Sequence, residues 1–289
     1  MILLSPKHLK YYYLLMRADK PVGIYLLLWP TLWGLFLAAN GMPPLDILFI
    51  FVAGVVVMRS AGCVINDYAD RHVDGAVART KQRPLATGVI STAEAKQLFA
   101  LLILLAFILV LFLGVNTVLL SVVALLLASI YPFMKRYTHL PQVVLGAAFA
   151  WSIPMAFMAV LNDLPAWLWL VYLANVCWTV AYDTQYAMVD RRDDVKVGIK
   201  STAILFGKYD LFMIVLLQLV TLALLACVFY INAFSLFAYA GLLACVGLFW
   251  YQLMLCIKRE EQKCFQAFLH NNWVGMLITA TILLGLFLP

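Results

Sequence analysis

The sequence predicts an all-α membrane protein, with nine transmembrane helices in a single bundle, a cytoplasmic N-terminus and a periplasmic C-terminus. Three observations carry this. Of the 289 residues, 65% are hydrophobic and only 12% are charged, with a mean hydropathy of +0.97. A soluble domain carries about 25% charged residues, so a soluble enzyme, a disordered chain and a disulfide scaffold are excluded. Apolar runs long enough to cross a bilayer, about 20 residues each, recur along the whole chain. Finally, the Lys and Arg residues gather in alternate connections.

In order, the runs cover 22–39, 45–65, 97–114, 117–133, 140–161, 165–187, 210–231, 235–257 and 271–288. They do not alternate apolar with polar residues, as barrel strands would. Pro30 and Pro154 lie inside the first and fifth runs, where they are expected to kink the helix. Ser91-x-x-Glu94 reads as a capping box opening the third. The connections at 40–44, 115–116, 162–164 and 232–234 hold no Lys or Arg. The N-terminal tail and the connections at 66–96, 134–139, 188–209 and 258–270 hold nineteen of the twenty, and only Arg59 lies inside a run. The positive-inside rule places these basic segments in the cytoplasm. The expected organisation is one transmembrane domain over 1–289 with cytoplasmic cap loops at about 66–96 and 188–209. The net charge of +6 reads as this basic face, with no nucleic-acid partner expected. Cys63, Cys177, Cys227, Cys245, Cys256 and Cys264 form no C-x-x-C pair and read as small hydrophobes. No short apolar stretch with a small-residue cleavage site opens the chain, so no cleavable signal is expected.

Half of the fourteen acidic residues fall into two clusters. The first is Asn66-Asp67-Tyr68-Ala69-Asp70-Arg71-His72-Val73-Asp74, and the second runs from Asp183 through Asp190 to Asp194. Residues i and i+4 share a helix face. Continuing the second helix inward therefore puts Arg59, Asn66, Asp70 and Asp74 on one stripe, and Asp183, Asp190 and Asp194 form another on the sixth. Paired carboxylates repel unless a cation lies between them. Oxygen donors without His or Cys suit Mg²⁺ or Mn²⁺, and Mg²⁺ characteristically shares its shell with substrate phosphates. Asn66, Asp70, Asp74, Asp190 and Asp194 are the candidate metal ligands. Arg71, Arg79, Arg83, Lys196 and Lys200 are the candidate partners of a diphosphate. The competing reading is two solvated acidic helix ends paired with neighbouring cations.

Asn-Asp-x-x-Asp-x-x-x-Asp at 66–74 and Tyr-Ala-x-x-Asp-x-x-x-Asp at 186–194 resemble the two aspartate-rich signatures of the UbiA family of intramembrane prenyltransferases. Arg17-x-x-Lys20-Pro21, Arg79-Thr80, Arg83-Pro84-Leu85, Tyr131-Pro132-Phe133-Met134-Lys135-Arg136-Tyr137-Thr138 and Lys200-Ser201-Thr202-Ala203 extend the resemblance over essentially the whole chain, toward the branch acting on 4-hydroxybenzoate. The resemblance implies Mg²⁺-dependent transfer of a polyprenyl group from polyprenyl diphosphate to the 3-position of 4-hydroxybenzoate, releasing diphosphate, in ubiquinone biosynthesis. It also implies a multi-pass protein of the bacterial inner membrane, in contact with lipid, with its active site on the cytoplasmic side. Asp183 would hold the phenol or take its proton, and Tyr68, Tyr182 and Tyr186 would wall the allylic cation.

Arg59 and Arg136 are the candidate carboxylate partners of the acceptor; Arg136 is also a candidate catalytic residue. For each there is a plainer reading: an ion pair with an aspartate for Arg59, a topology signal for Arg136. A family member with another acceptor, such as dihydroxynaphthoate or haem, is the alternative. A secondary transporter is disfavoured because its ionisable groups would lie near the midplane. A CDP-alcohol phosphotransferase is disfavoured because no Asp-Gly-x-x-Ala-Arg stretch occurs.

Overall fold

The computed structural model describes residues 4–76 and 79–287; the end of the last predicted run, residue 288, lies outside them. Among the described residues the chain is helical, with no strand. In order the helices are α1 (Leu9–Leu15), α2 (Val22–Ala39), α3 (Leu45–Asp70), α4 (Thr92–Val110), α5 (Val115–Met134), α6 (Pro141–Ala150), α7 (Ser152–Leu161), α8 (Leu168–Val197), α9 (Thr202–Phe206), α10 (Asp210–Ile231), α11 (Leu236–Cys256) and α12 (Glu261–Phe287). Eight segments are long and apolar enough to cross a membrane, counting α6–α7 and α9–α10 as one each.

The helix without that composition is α8. Its 30 residues would reach about 45 Å, but Asn175, Thr179, Thr184 and Gln185 lower its hydropathy, and all four are fully buried. They face other helices instead of lipid. Trp178 Nε1 donates to Asn271 Oδ1 at 2.9 Å, and Asn271 Nδ2 donates to Gln185 Oε1 at 2.9 Å. Gln218 Nε2 donates to Gln252 Oε1 at 3.0 Å, completing a polar seam through α8, α10, α11 and α12. Such interhelical bonds hold helices together where lipid supplies no hydrophobic drive.

α2, α7, α8, α10, α11 and α12 share the main apolar core, with Trp33, Phe157, Trp178 and Phe229 completely buried in it. α3 packs against α2, α4 and α5, and α6 bridges α5 to α8. This side is looser, and a cavity of about 870 Å³ opens within it.

Two expectations require correction. α3 ends at Asp70, so Asp74 does not continue its stripe; it starts a separate short turn, Asp74–Ala76. Thr80 Oγ1 donates to the Asp74 carbonyl at 2.8 Å and Arg83 Nη1 to its carboxylate at 3.0 Å, drawing the chain off the helix axis. The last helix starts at Glu261 instead of 271. Its first turns are amphipathic, burying Cys264 and Ala267 while Glu261 and Gln262 stay exposed, which keeps their hydropathy low. The fifth run is broken as Pro154 predicts, into two helices parted at Trp151 that together make one span. The Pro154 ring conflicts with the carbonyl four residues earlier, at Ala150. The Ser91–Glu94 capping box is present, and Glu94 also accepts from Tyr12 Oη at 2.7 Å, fastening α1 to α4.

Candidate active site

The ends of α3, α5, α6 and α8 and the loops 71–83 and 199–201 enclose a polar pocket of about 150 Å³. Asn66, Asp70, Asp74, Asp183, Asp190 and Asp194 all line it, with Arg79, Arg83, Lys135 and Lys200. All five candidate metal ligands thus meet in one place, although they are drawn from positions 116 or more residues apart across the two clusters. α8 runs unbroken to Val197, which keeps Asp183, Asp190 and Asp194 on one face.

Asp67, Asp70, Asp74 and Asp190 each have a cation. Lys135 Nζ binds Asp70 Oδ2. Arg83 binds Asp74 at 3.0 Å and buried Asp67 at 3.1 Å. Arg79 Nε donates to Asp190 Oδ1 at 3.0 Å, and its guanidinium lies 4.8 Å from the Tyr186 ring centroid. Arg17, from the turn after α1, forks onto Asp67 at 3.1 and 2.7 Å. Compensation is incomplete. Asp70 Oδ1 is buried with no hydrogen-bond partner. Burial and the neighbouring Asp190 charge push the Asp194 carboxyl up to about 7, although Lys135 and Arg79 oppose the rise. Burial likewise raises Asp74 despite Arg83.

Those two features test whether a hard cation suits the site. Among the described residues no three His, Cys, Asp or Glu side chains gather as a self-sufficient metal cage. The carboxylates instead stand in pairs with an unused oxygen and excess negative charge. Mg²⁺ is typically held by one or two carboxylates and completed by water and substrate phosphate, and this donor set fits it.

The second, larger cavity joins the first; Asn66, Arg79, Arg83, Tyr131, Asp183 and Tyr186 line both. It descends between α2, α3, α4, α5 and α7 over mainly apolar walls. Arg59 projects into it with its Nε buried and unpartnered; Nη1 donates to Cys63 Sγ at 2.6 Å. Gly23 makes room for this guanidinium, since a Cβ there would lie 2.5 Å from Arg59 Nε.

Not every candidate reaches the pockets. Arg71 folds back to the Tyr68 carbonyl at 2.6 Å and over the Tyr68 ring, and neither lines a cavity. Lys196 is paired with Asp193 at the surface. Arg136 donates to the Ala69 carbonyl and also lies outside both linings. Its neighbour Lys135 occupies the pocket instead. Tyr182 and Tyr186 line the large cavity, with Tyr131 beside them. Gln142 was not anticipated. Its Oε1 accepts from Thr202 N at 3.0 Å and its side chain lines the small pocket with Asp183. Asp67 and Arg17 were legible only as parts of the Asn66-Asp67 and Arg17-x-x-Lys20 motifs.

A helical bundle with a two-carboxylate-cluster pocket opening onto an apolar cavity defines an intramembrane prenyltransferase, and the chain belongs to the UbiA prenyltransferase family, whose model matches residues 27–276. Among named relatives, the 4-hydroxybenzoate octaprenyltransferase of Cronobacter sakazakii is 60% identical over 275 residues, covering 95% of each chain. That of Pseudoalteromonas translucida is 59% identical over 273 residues, covering 94% of each. The fold is shared with a UbiA homologue from Aeropyrum pernix K1, at a TM-score of 0.79 and 24% identity over 90% of this chain and 97% of that one. It is also shared with a UbiA homologue from Archaeoglobus fulgidus bound to GPP and Mg²⁺, at a TM-score of 0.73 and 18% identity over 94% and 99%.

Proposed function

We propose that the protein transfers a polyprenyl group from its diphosphate to the 3-position of 4-hydroxybenzoate; its relatives are named 4-hydroxybenzoate octaprenyltransferases. The observation carrying this is the junction of the two cavities at Asp183. A polar, cation-rich pocket suited to diphosphate meets an apolar cavity suited to the tail, and Arg59 offers an open guanidinium nearby.

Asn66, Asp70 and Asp74 would hold one Mg²⁺, and Asp190 and Asp194 a second; Mn²⁺ is expected to substitute. When bound, these ions neutralise the departing diphosphate oxygens. Arg79 and Arg83 reinforce that neutralisation as their donors turn from carboxylates to phosphate oxygens, and Lys200 as its ammonium turns from the Tyr137 carbonyl. The C–O bond of the donor breaks, and the allylic carbon carries the developing positive charge between the faces of Tyr131, Tyr182 and Tyr186. Arg59 orients the acceptor by its carboxylate. Asp183 draws the phenol proton, raising electron density at the neighbouring ring carbon, which attacks. The ring proton passes to the released diphosphate, which restores aromaticity, and Asp183 returns its proton to the phenolate oxygen.

The tail must enter from lipid, which supports a single bundle over 1–289. Burial of the polar face of α8 supports counting it as the ninth span. The alternating basic connections then put the pocket on the cytoplasmic side of the bacterial inner membrane and the C-terminus in the periplasm. Incubating membranes with 4-hydroxybenzoate, octaprenyl diphosphate and Mg²⁺ and weighing the product tests the reading. Failure to form the prenylated acid, with dihydroxynaphthoate prenylated in its place, would reassign the acceptor.

A further inference from the structure

The glycines of the spanning helices divide into two kinds. A Cβ on Gly34 would come within 3.1 Å of the Ile153 backbone, and one on Gly146 within 3.1 Å of the Val176 backbone. These are packing glycines, which let helices approach closely. Gly54 and Gly62 on α3 are not: a Cβ at either would meet nothing within 4 Å. A helix-interior glycine is about 1 kcal/mol less favourable than alanine, and close packing does not explain these two. Both line the large cavity.

Their depths differ. Residues 50, 51, 54, 55, 58, 59, 62, 63 and 66 of α3 all face the cavity, so it follows one face of the helix for most of its length. At 1.5 Å per residue, Gly62 lies about 6 Å from Asn66, close to the reaction centre, and Gly54 about 18 Å from it. Beyond Gly54 the cavity ends against Phe51, Leu113 and Met155. Arg59 lies between the two glycines, so any acceptor held by it sits above Gly54. Only the donor's hydrocarbon tail reaches further down.

We propose that Gly54 is a specificity-determining residue: the missing side chain keeps the lower cavity open for the distal isoprene units of a long donor. This rests on the prenyltransferase reading above. A Cβ at 54 would enter that space without meeting any neighbouring atom, and the effect of a side chain there would grow with donor length. A side chain at 62 would obstruct the first isoprene units and would act on every donor alike.

The test compares wild type, Gly54→Ala, Gly54→Leu and Gly62→Leu as full-length proteins in detergent. Each receives geranyl or octaprenyl diphosphate with 4-hydroxybenzoate and Mg²⁺. Gly54→Leu should lower kcat/KM for the octaprenyl donor at least about tenfold more than for the geranyl donor, the scale on which filled hydrophobic space discriminates. Gly54→Ala should show a smaller bias in the same direction, and Gly62→Leu none. Thermal stabilisation by the two diphosphates in the absence of acceptor repeats the comparison without turnover. Equal losses with both donors in Gly54→Leu, or no loss with either, would overturn the proposal. A wild type that binds both diphosphates but prenylates nothing would instead refute the assigned reaction, while the binding bias still decides the role of Gly54.

Discussion

Arg79 and Asp190 join the two acidic clusters: a guanidinium from the loop after the first cluster donates Nε to Asp190 of the second at 3.0 Å. The pair holds the pocket together while leaving the arginine replaceable. A diphosphate that engages Arg79 frees Asp190 in the same movement. Arg79→Ala should therefore raise KM for the prenyl diphosphate by about tenfold or more, the loss of one charged hydrogen bond of about 1.5–3 kcal/mol. KM for 4-hydroxybenzoate should change little. Equal rises for both substrates in steady-state kinetics would show that Arg79 only braces the fold.

The carboxylate pairs are expected to act as one unit. Asp70→Ala and Asp190→Ala should each lose at least about 10²-fold in kcat, the scale for removing a main electrostatic stabiliser. The double variant should be scarcely slower than either single, as for residues that work together. EDTA should abolish turnover and Mg²⁺ restore it. Asp46→Ala and Asp163→Ala, on the other side of the bundle, serve as controls near wild type. Full activity in Asp190→Ala would return the clusters to solvated helix ends.

Arg59 and Arg136 separate by the same kinetics. Arg59 lines the cavity with its buried Nε unpartnered, while Arg136 is spent on the Ala69 carbonyl. Arg59→Ala should raise KM for 4-hydroxybenzoate by roughly tenfold to a hundredfold. Arg136→Ala should instead lower thermal stability, with a smaller effect on KM. A phenol lacking the carboxylate should bind wild type and Arg59→Ala alike. The reverse pattern would move acceptor recognition to the 134–139 loop.

Acidity should compete with the metal. Asp194, without a cation, takes a proton near pH 7. Its raised value means the proton is held below that pH and lost above it, and a metal can bind only the deprotonated carboxylate. From about pH 8 to about pH 6 the apparent Mg²⁺ affinity should fall, approaching tenfold per unit once the carboxyl is protonated. In Asp194→Asn the dependence should flatten. Calorimetric Mg²⁺ titrations at several pH values read it directly; a slope unchanged in the variant would assign the proton elsewhere.

Topology follows from the charge pattern. A reporter at the C-terminus should register the periplasm, and one in the 79–90 loop the cytoplasm. A cytoplasmic C-terminus would leave α8 outside the count of spanning helices.

The helical bundle was legible because composition decides it. The first predicted run and the seventh coincide with α2 and α10, both predominantly apolar. The expectations failed where polar residues sit on helices for packing reasons. Residues 261–270 look like a loop by hydropathy but form the start of α12, because only one face, with Cys264, Ala267 and Phe268, turns inward. The candidate ligands were readable from spacing in α8. Asp74 was placed on a helix it has left, since spacing carries no record of the Thr80 and Arg83 contacts that capture it. Which basic side chains turn inward was illegible. Lys135 and Arg136 are neighbours in sequence, and only the end geometry of α5 sends the first into the pocket and the second to Ala69. Gly54 and Gly62 gave no signal at all, because a glycine facing a void and a glycine facing a helix are the same letter.

The buried polar face of α8 also constrains how the molecule is made. A ribosome delivers helices in chain order, and α8 leaves the translocon carrying Asn175, Thr179, Thr184 and Gln185, which a bare lipid environment does not satisfy. The α6 and α7 helices precede it and pack on it, so they can receive it on arrival. Trp178 and Gln185, however, bond to Asn271 on the last helix to emerge. The bundle is therefore assembled with α8 waiting on α12, and the candidate aspartates of α8 reach their places in the pocket only once α12 has emerged.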